Sequence, residues 1–217
     1  MQAEQSMQEA HGRCGRPPGR GRWRGWQAFA LLLAAGASHA ELRVSERTVH
    51  YDLAARSLDA LRDEIRRNGP QDESGRRYDG LTAWTIEWAA EFRDDELPGR
   101  PRAGPRRCRP DGHAVTLDLT VTVPRWAHRD RAGREARERW DAYLAALVAH
   151  EAQHRALAVD GARRIEAALA ATAPGERCRD LQWQVEKVVN RIQQRLGVDN
   201  RLLDRRTKHG REQGVRL

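Results

Sequence analysis

The sequence predicts an α+β domain, in which a small antiparallel sheet packs against one long helix and a second, C-terminal helix. Three observations carry this reading. Two segments alternate apolar and polar residues with period two, Trp84-Ile86-Trp88 and Val115-Leu117-Leu119-Val121-Val123. A proline-free stretch rich in Ala, Arg and Glu then runs from about Arg131 to Thr172. A third segment, from Asp180 to about Leu196, carries Leu181, Val185, Val188, Ile192 and Leu196 at helical spacing.

The first forty residues stand outside that domain. Five arginines between Arg13 and Arg24 precede a short apolar run, Trp26 to Ala37, and then Ser38-His39-Ala40. A basic start, a short apolar stretch and a small-x-small cleavage site make the layout of a secretory signal. The expected leader is 1–40 and the mature domain 41–217, exported to a periplasm or the cell exterior. The apolar run is too short for a bilayer span, so no stable membrane span is expected in the mature chain. Removing five Arg and two Glu leaves 34 basic and 29 acidic residues, a net +5. These charges are scattered among one another, as on a solvated face. No recognisable motif or aromatic-basic platform points to nucleic acid. Export also bears on the cysteines. Cys108 and Cys178 remain as an even pair in an oxidising compartment, and a disulfide between them is expected.

Along the mature chain, Leu42–Tyr51 reads as a strand. Ser57 reads as the N-cap of a helix with Leu58, Leu61 and Ile65 on its apolar face, stopped by Asn68-Gly69-Pro70. A polar loop, 71–79, leads into the strand Leu81–Phe92. A Pro/Gly/Arg-rich loop, 93–110, precedes the strand His113–Val123, which Pro124 should end. Pro174-Gly175 separates the two late helices, and Gly197–Leu217 reads as a polar tail.

The chemistry lies in the long helix, at His150-Glu151-Ala152-Gln153-His154. With eight histidines in the chain, an H-E-x-x-H match by chance is expected only roughly 0.02 times. Four residues advance a helix by slightly more than one turn, so both imidazoles share a face. That spacing suits two nitrogen ligands of a tetrahedral Zn²⁺. Tyr143, Leu147, His150, His154, Ala158, Gly161 and Ile165 form one continuous stripe, so the imidazoles should point inward. A buried imidazole needs partners, and a shared metal supplies both at once. Glu151, one step round, is the expected general base toward a zinc-activated water.

A third ligand is required. Asp160 follows His154 by six residues, but Leu157 offers no turn and the continuing helix carries Asp160 off the face. His209 in the tail, next to Gly210, is the preferred third metal ligand, with Asp204 second. His113, His128, Glu166 and Glu186 are further candidates. Tyr51, Tyr78, Tyr143 and His128 are open as the donor that would hold the oxyanion.

The order of these features resembles the bacterial domain of unknown function 922, described as predicted secreted zinc-dependent proteases. The resemblance rests on Gly69-Pro70, Trp84-Thr-Ile-Glu-Trp88, Pro124-Arg-Trp126, Trp140 ahead of His150-Glu151-x-x-His154, Cys178, and Asp204-x-x-Thr207-x-His209-Gly210. It implies a zincin-like metallopeptidase acting on a peptide or protein substrate, with the tail as part of the site. Two positions depart from it: Leu203 stands where a Tyr precedes Asp204, and Ala54-Ala55 where a turn glycine follows Tyr51. The competing reading is a non-catalytic cell-envelope protein that keeps a structural or degenerate metal site.

Overall fold

The computed structural model describes residues 42–94 and 107–217. The expected leader lies outside the described residues, as does most of the 93–110 loop. The order of elements is strand β1 (Leu42–Leu53), helix α1 (Leu58–Asn68), strand β2 (Leu81–Asp94), strand β3 (Cys108–Trp126), helix α2 (Arg134–Ala170) and helix α3 (Cys178–Thr207). Short 3-10 turns follow β3, at Arg129–Arg131, and α3, at Arg211–Gln213. The fold is the expected α+β.

The sheet differs from expectation in one respect: it is mixed rather than antiparallel. Its strand order is β1-β3-β2. β2 pairs antiparallel with β3, from Leu81↔Thr122 to Asp94↔Cys108, with a bulge at Glu91/Phe92. β1 pairs parallel with β3, from Leu42↔Val115 to Leu53↔Trp126. A parallel pair needs a long crossover, and α1 with β2 supplies it. β3 is therefore central, and Val115, Leu117 and Leu119 are buried beneath the helices. Pro124 does not end the strand. The β2 ladder stops at Thr122, so Pro124 has only β1 beside it and breaks no ladder on the β2 side.

Ser57 caps α1 as expected, its Oγ accepting from Ala60 N at 3.3 Å. The stripe on α2 is buried from Tyr143 to Ile165. The Cys108–Cys178 disulfide forms, with 5.0 Å between the Cα atoms, and joins the start of β3 to the start of α3. α3 runs eleven residues past its expected end at Leu196. An interior glycine costs a helix about 1 kcal/mol, and Gly197 does not stop this one. Burial of Leu196 and Leu203 on either side offsets that cost. Gly161 of α2 lets α3 come close, since a Cβ there would stand 2.7 Å from Leu196 Cδ2.

Two hydrophobic clusters result. One joins β2, β3, the C-terminal half of α2 and α3 through Ile86, Leu117, Ala162, Ile165, Val189 and Leu196. The other joins α1, the N-terminal half of α2 and the chain after α3 through Leu61, Ile65, Trp126, Trp140, Tyr143 and Val215. His150, Glu151 and His154 lie between them along α2. Among the described residues, no helix is long and apolar enough to cross a membrane.

Candidate metal centre

α2 presents His150, Glu151 and His154 to the interior, and they are 3%, 4% and 8% exposed. The two rings lie 4.9 Å apart between centroids and edge to face. Two turns of α3 beyond the close approach at Leu196, Asp204 reaches the same point. Its Oδ1 stands 3.3 Å from His150 Nε2 and 3.1 Å from His154 Nε2. One ligand atom from each of the three residues falls within a 4.8 Å group.

Hydrogen bonds fix which nitrogen of each ring carries a proton. Asn200 Nδ2 donates to the Leu196 carbonyl at 2.9 Å, so its Oδ1 must accept from His154 Nδ1, 2.7 Å away. On the other ring the chain is longer. Gln153 Nε2 donates to the Ala149 carbonyl at 3.2 Å, and Gln213 Nε2 donates to Gln153 Oε1 at 3.1 Å. Gln213 Oε1 therefore accepts from His150 Nδ1 at 2.9 Å. Both chains end on a backbone carbonyl, which can only accept. Each ring is thus protonated on Nδ1, and in neutral imidazoles both Nε2 lone pairs face the Asp204 carboxylate.

Two lone pairs and a carboxylate oxygen cannot face one another without positive charge between them. Two protons would make two imidazolium ions in a buried site. One divalent ion satisfies all three groups. Tetrahedral ligands at 2.0–2.1 Å from a Zn²⁺ stand about 3.3–3.4 Å apart, close to the separations from Asp204. Buried imidazoles oriented through Nδ1–H by side-chain acceptors are also the usual support for such ligands. The donor set fits a zinc ion.

Electrostatics favour positive charge beside an ionised Asp204. Burial opposes the charge on Asp204, but its contacts with His150 and His154 and the nearby His209 outweigh it and hold the carboxyl well below the usual range. Burial likewise opposes charge on His154, yet Asp204 and Asn200 raise its pKa. Burial raises Glu151, partly offset by Thr82 and His154. Thr82 Oγ1, at the start of β2, stands 2.7 Å from Glu151 Oε2 and 3.2 Å from the Glu151 carbonyl. The acid is thus steadied on one oxygen.

The centre opens on a cavity of about 1170 Å³. Its rim includes the segment after α3. Lys208, His209 and Gly210 take three successive left-handed conformations, with φ of 49°, 54° and 79°. The turn they make lays Gln213 on His150 and Val215 in the second cluster. A Cβ at Gly210 would stand 2.5 Å from Val215 and 3.1 Å from the His150 ring, so this position needs glycine on both counts.

The sequence candidates separate clearly. Asp204 joins His150 and His154 in the three-residue group. His209 stands beside it, with Nδ1 3.3 Å from Asp204 Oδ1 and its ring 5.4 Å from that of Tyr78. His113 faces Glu166 at 3.8 Å, away from the cavity lining, and Asp160 pairs with Arg164 on α2. Neither His128 nor Glu186 lines the cavity. Tyr51 and Tyr143 both donate to Asp79, to its carbonyl at 2.7 Å and to its carboxylate at 3.1 Å. Tyr78 lines the cavity and donates to Asp72 at 2.8 Å. Thr82, Asn200 and Gln213 were not singled out in the sequence. Asn200 lies four residues before Asp204 and four after Leu196, a signal visible once α3 is read past Gly197.

No curated protein and no solved structure matches the chain. A family model described as bacterial protein of unknown function (DUF922) matches residues 48–210. The match takes in the H-E-x-x-H helix, Asn200, Asp204 and His209, and stops short of Gln213. It covers well over half of the sequence, and the chain belongs to the DUF922 family.

Proposed function

We propose that the protein is an exported zinc-dependent metallopeptidase, with His150, His154 and Asp204 holding the ion and Glu151 as general base. The observation that carries this reading is the convergence of two Nε2 lone pairs and one carboxylate oxygen beside a buried glutamate, at the edge of a large cavity. A zinc ion in such a setting polarises a carbonyl and lowers the pKa of water. Glu151 takes the proton of the attacking water and hands it to the departing amine nitrogen. Thr82 holds one Glu151 oxygen and leaves the other for this work. Three protein ligands leave a fourth position open, as in catalytic rather than structural zinc sites. Export is supported by the layout of the first forty residues and by the Cys108–Cys178 bridge.

A second reading draws on His209. Its Nδ1 is 3.3 Å from the same Asp204 oxygen, and as a fourth ligand it would close the site into a structural one. One experiment separates the two. Glu151→Gln should keep one zinc per chain by elemental analysis and lose hydrolysis of casein or a peptide library by at least about a hundredfold. Equal cleavage by both proteins, or by neither, would leave only the structural reading. A wild-type protein without stoichiometric zinc would sink both.

A further inference from the structure

Many exposed charges on the first two helices pair with a neighbour of opposite sign. On α1, Arg62 pairs with Asp59 and Arg66 with Asp63; on α2, Arg134 pairs with Glu138 and Arg164 with Asp160. α3 is different. Between Trp183 and Arg205 it carries five cations and three acids, and each acid is engaged. Asp204 is turned into the candidate metal centre, Asp199 pairs with Arg195 at 3.0 Å, and Glu186 accepts from Gln182 at 3.0 Å. Arg191, Arg201 and Arg205 are exposed and form no ion pair among the described residues.

These cations share one side of the helix with apolar groups. Trp183, Lys187, Arg191, Val198, Arg201 and Arg205 recur at intervals of three, four and seven residues, which keeps them on one face, opposite the buried Leu181, Val185, Leu196 and Leu203. The stripe runs about 33 Å along α3. Among the described residues, four of the seven exposed large hydrophobic side chains belong to this helix: Trp183, which is 61% exposed, Val188, Val198 and Leu202. Lys187 Nζ stands 5.1 Å over the Trp183 ring. Trp183, Lys187 and Arg191 also border a shallow depression of about 450 Å³, large enough for a lipid headgroup. α2 has unpaired exposed arginines too, Arg139 and Arg163, but they stand about 36 Å apart along the axis, and Val148 is its one exposed large hydrophobic side chain.

We propose that the outer face of α3 is a docking surface for anionic lipid headgroups. Its cations meet the phosphates, and Trp183, Val198 and Leu202 rest at the boundary with the acyl chains. A basic helix face that also carries a tryptophan and aliphatic residues adsorbs to acidic bilayers without crossing them. A nucleic acid or polyphosphate would satisfy the cations and leave Val198 and Leu202 in water. A second copy of the chain would bring like charge against like charge. The proposal is independent of the peptidase reading. Arg201 also lines the cavity, so docking holds the cavity close to the lipid surface.

The test sediments the full chain with vesicles of phosphatidylcholine alone or containing about one-third phosphatidylglycerol. Every variant keeps the first forty residues, so their contribution is common to all arms. Lys187→Gln, Arg191→Gln and Arg205→Gln together remove three cations from the stripe; Arg134→Gln, Arg139→Gln and Arg163→Gln remove three from α2. The α3 triple should bind the acidic vesicles at least about tenfold more weakly, and the difference should shrink as salt is raised. The α2 triple should stay within about twofold of wild type, and both should keep the wild-type melting temperature. A second readout is local. Acyl-brominated lipid should quench the Trp183 emission, taken as the difference between wild type and Trp183→Phe. Equal binding to neutral and acidic vesicles overturns the proposal, as does a Trp183 emission that brominated lipid leaves untouched. Equal losses from the two triples would mean that net charge alone attracts the chain, and overturn the assignment to α3. An oligothymidylate that binds as tightly as acidic vesicles of equal phosphate content overturns the lipid class.

Discussion

The two hydrophobic clusters that α2 joins are closed in different ways. The cluster on the sheet side is mainly aliphatic, and the Cys108–Cys178 disulfide ties the adjoining ends of β3 and α3. Cys108 and Gly175 add a backbone bridge there, with 2.8 Å bonds in both directions. The cluster on the other side stacks Trp126, Trp140 and Tyr143 and is completed by Val215, with no covalent tie. The candidate metal centre sits between Leu147 of one and Ala158 of the other. Each side supplies one amide that orients a histidine: Asn200 from α3, Gln213 from the turn after it. The two rings therefore depend on parts of the molecule that need not be equally firm.

The largest effect should come from cutting the covalent tie. Cys108→Ser with Cys178→Ser removes a cross-link between residues 70 apart, worth up to about 4 kcal/mol on the loop-entropy account. The melting temperature should fall clearly. Zinc content should not, because Cys178 and Asp204 stand at opposite ends of a 30-residue helix, about 40 Å apart along its axis. A folded double variant that fails to hold zinc would show that the sheet side and the centre are not separable.

A smaller and more local effect sharpens the contrast. Gln213→Ala and Asn200→Ala each remove the acceptor that orients one ring, and such losses typically weaken metal binding 10–100-fold. Gln213 is exposed and lies outside α3, so its loss should leave the melting temperature of the metal-free protein nearly unchanged. Asn200 is only partly exposed and bonds the Leu196 carbonyl, so Asn200→Ala should lower it as well. Competition with a chelating dye, beside thermal melts without metal, reads both. Wild-type affinity in Gln213→Ala would mean that the His150 ring is held without its amide.

The same contrast explains what was legible in the sequence. The stripe through His150 and His154 was readable because a buried helical face has a fixed period, whatever packs on it. Ser57, the alternating strands and the cysteine pair were readable for similar local reasons. Asp204 ranked after His209 because an imidazole beside Gly210 is the stronger ligand type; that α3 carries Asp204 to the centre was hidden because Gly197 looks like a helix stop, and the burial of Leu196 and Leu203 that overrides it is a tertiary matter. The parallel pairing of β1 was hidden because alternation does not encode strand direction. Gln213 gave no signal at all: its role depends on three left-handed residues, Lys208 to Gly210, of which only the glycine announces itself.

The smallest effect concerns a charge on the aromatic side. Burial raises the pKa of Asp79, and the hydrogen bond from Tyr143, with the charges of Arg211 and Arg66, offsets it only in part. The folded chain therefore holds this proton more tightly than the unfolded chain, whose carboxyl titrates near 3.9. Below that value the contribution to stability is fully present. It is lost as pH rises toward and through the raised folded pKa, because the folded state then binds more protons than the unfolded one. Asp79→Asn keeps an acceptor for Tyr143 and removes the titration. Denaturant midpoints of the metal-free variant should match wild type near pH 3.5 and exceed it modestly at pH 7. A variant less stable than wild type at pH 7 would mean that Arg211 and Arg66 repay the buried charge in full. In that case the aromatic side would be held partly by ion pairing, and its contrast with the disulfide-tied side would narrow.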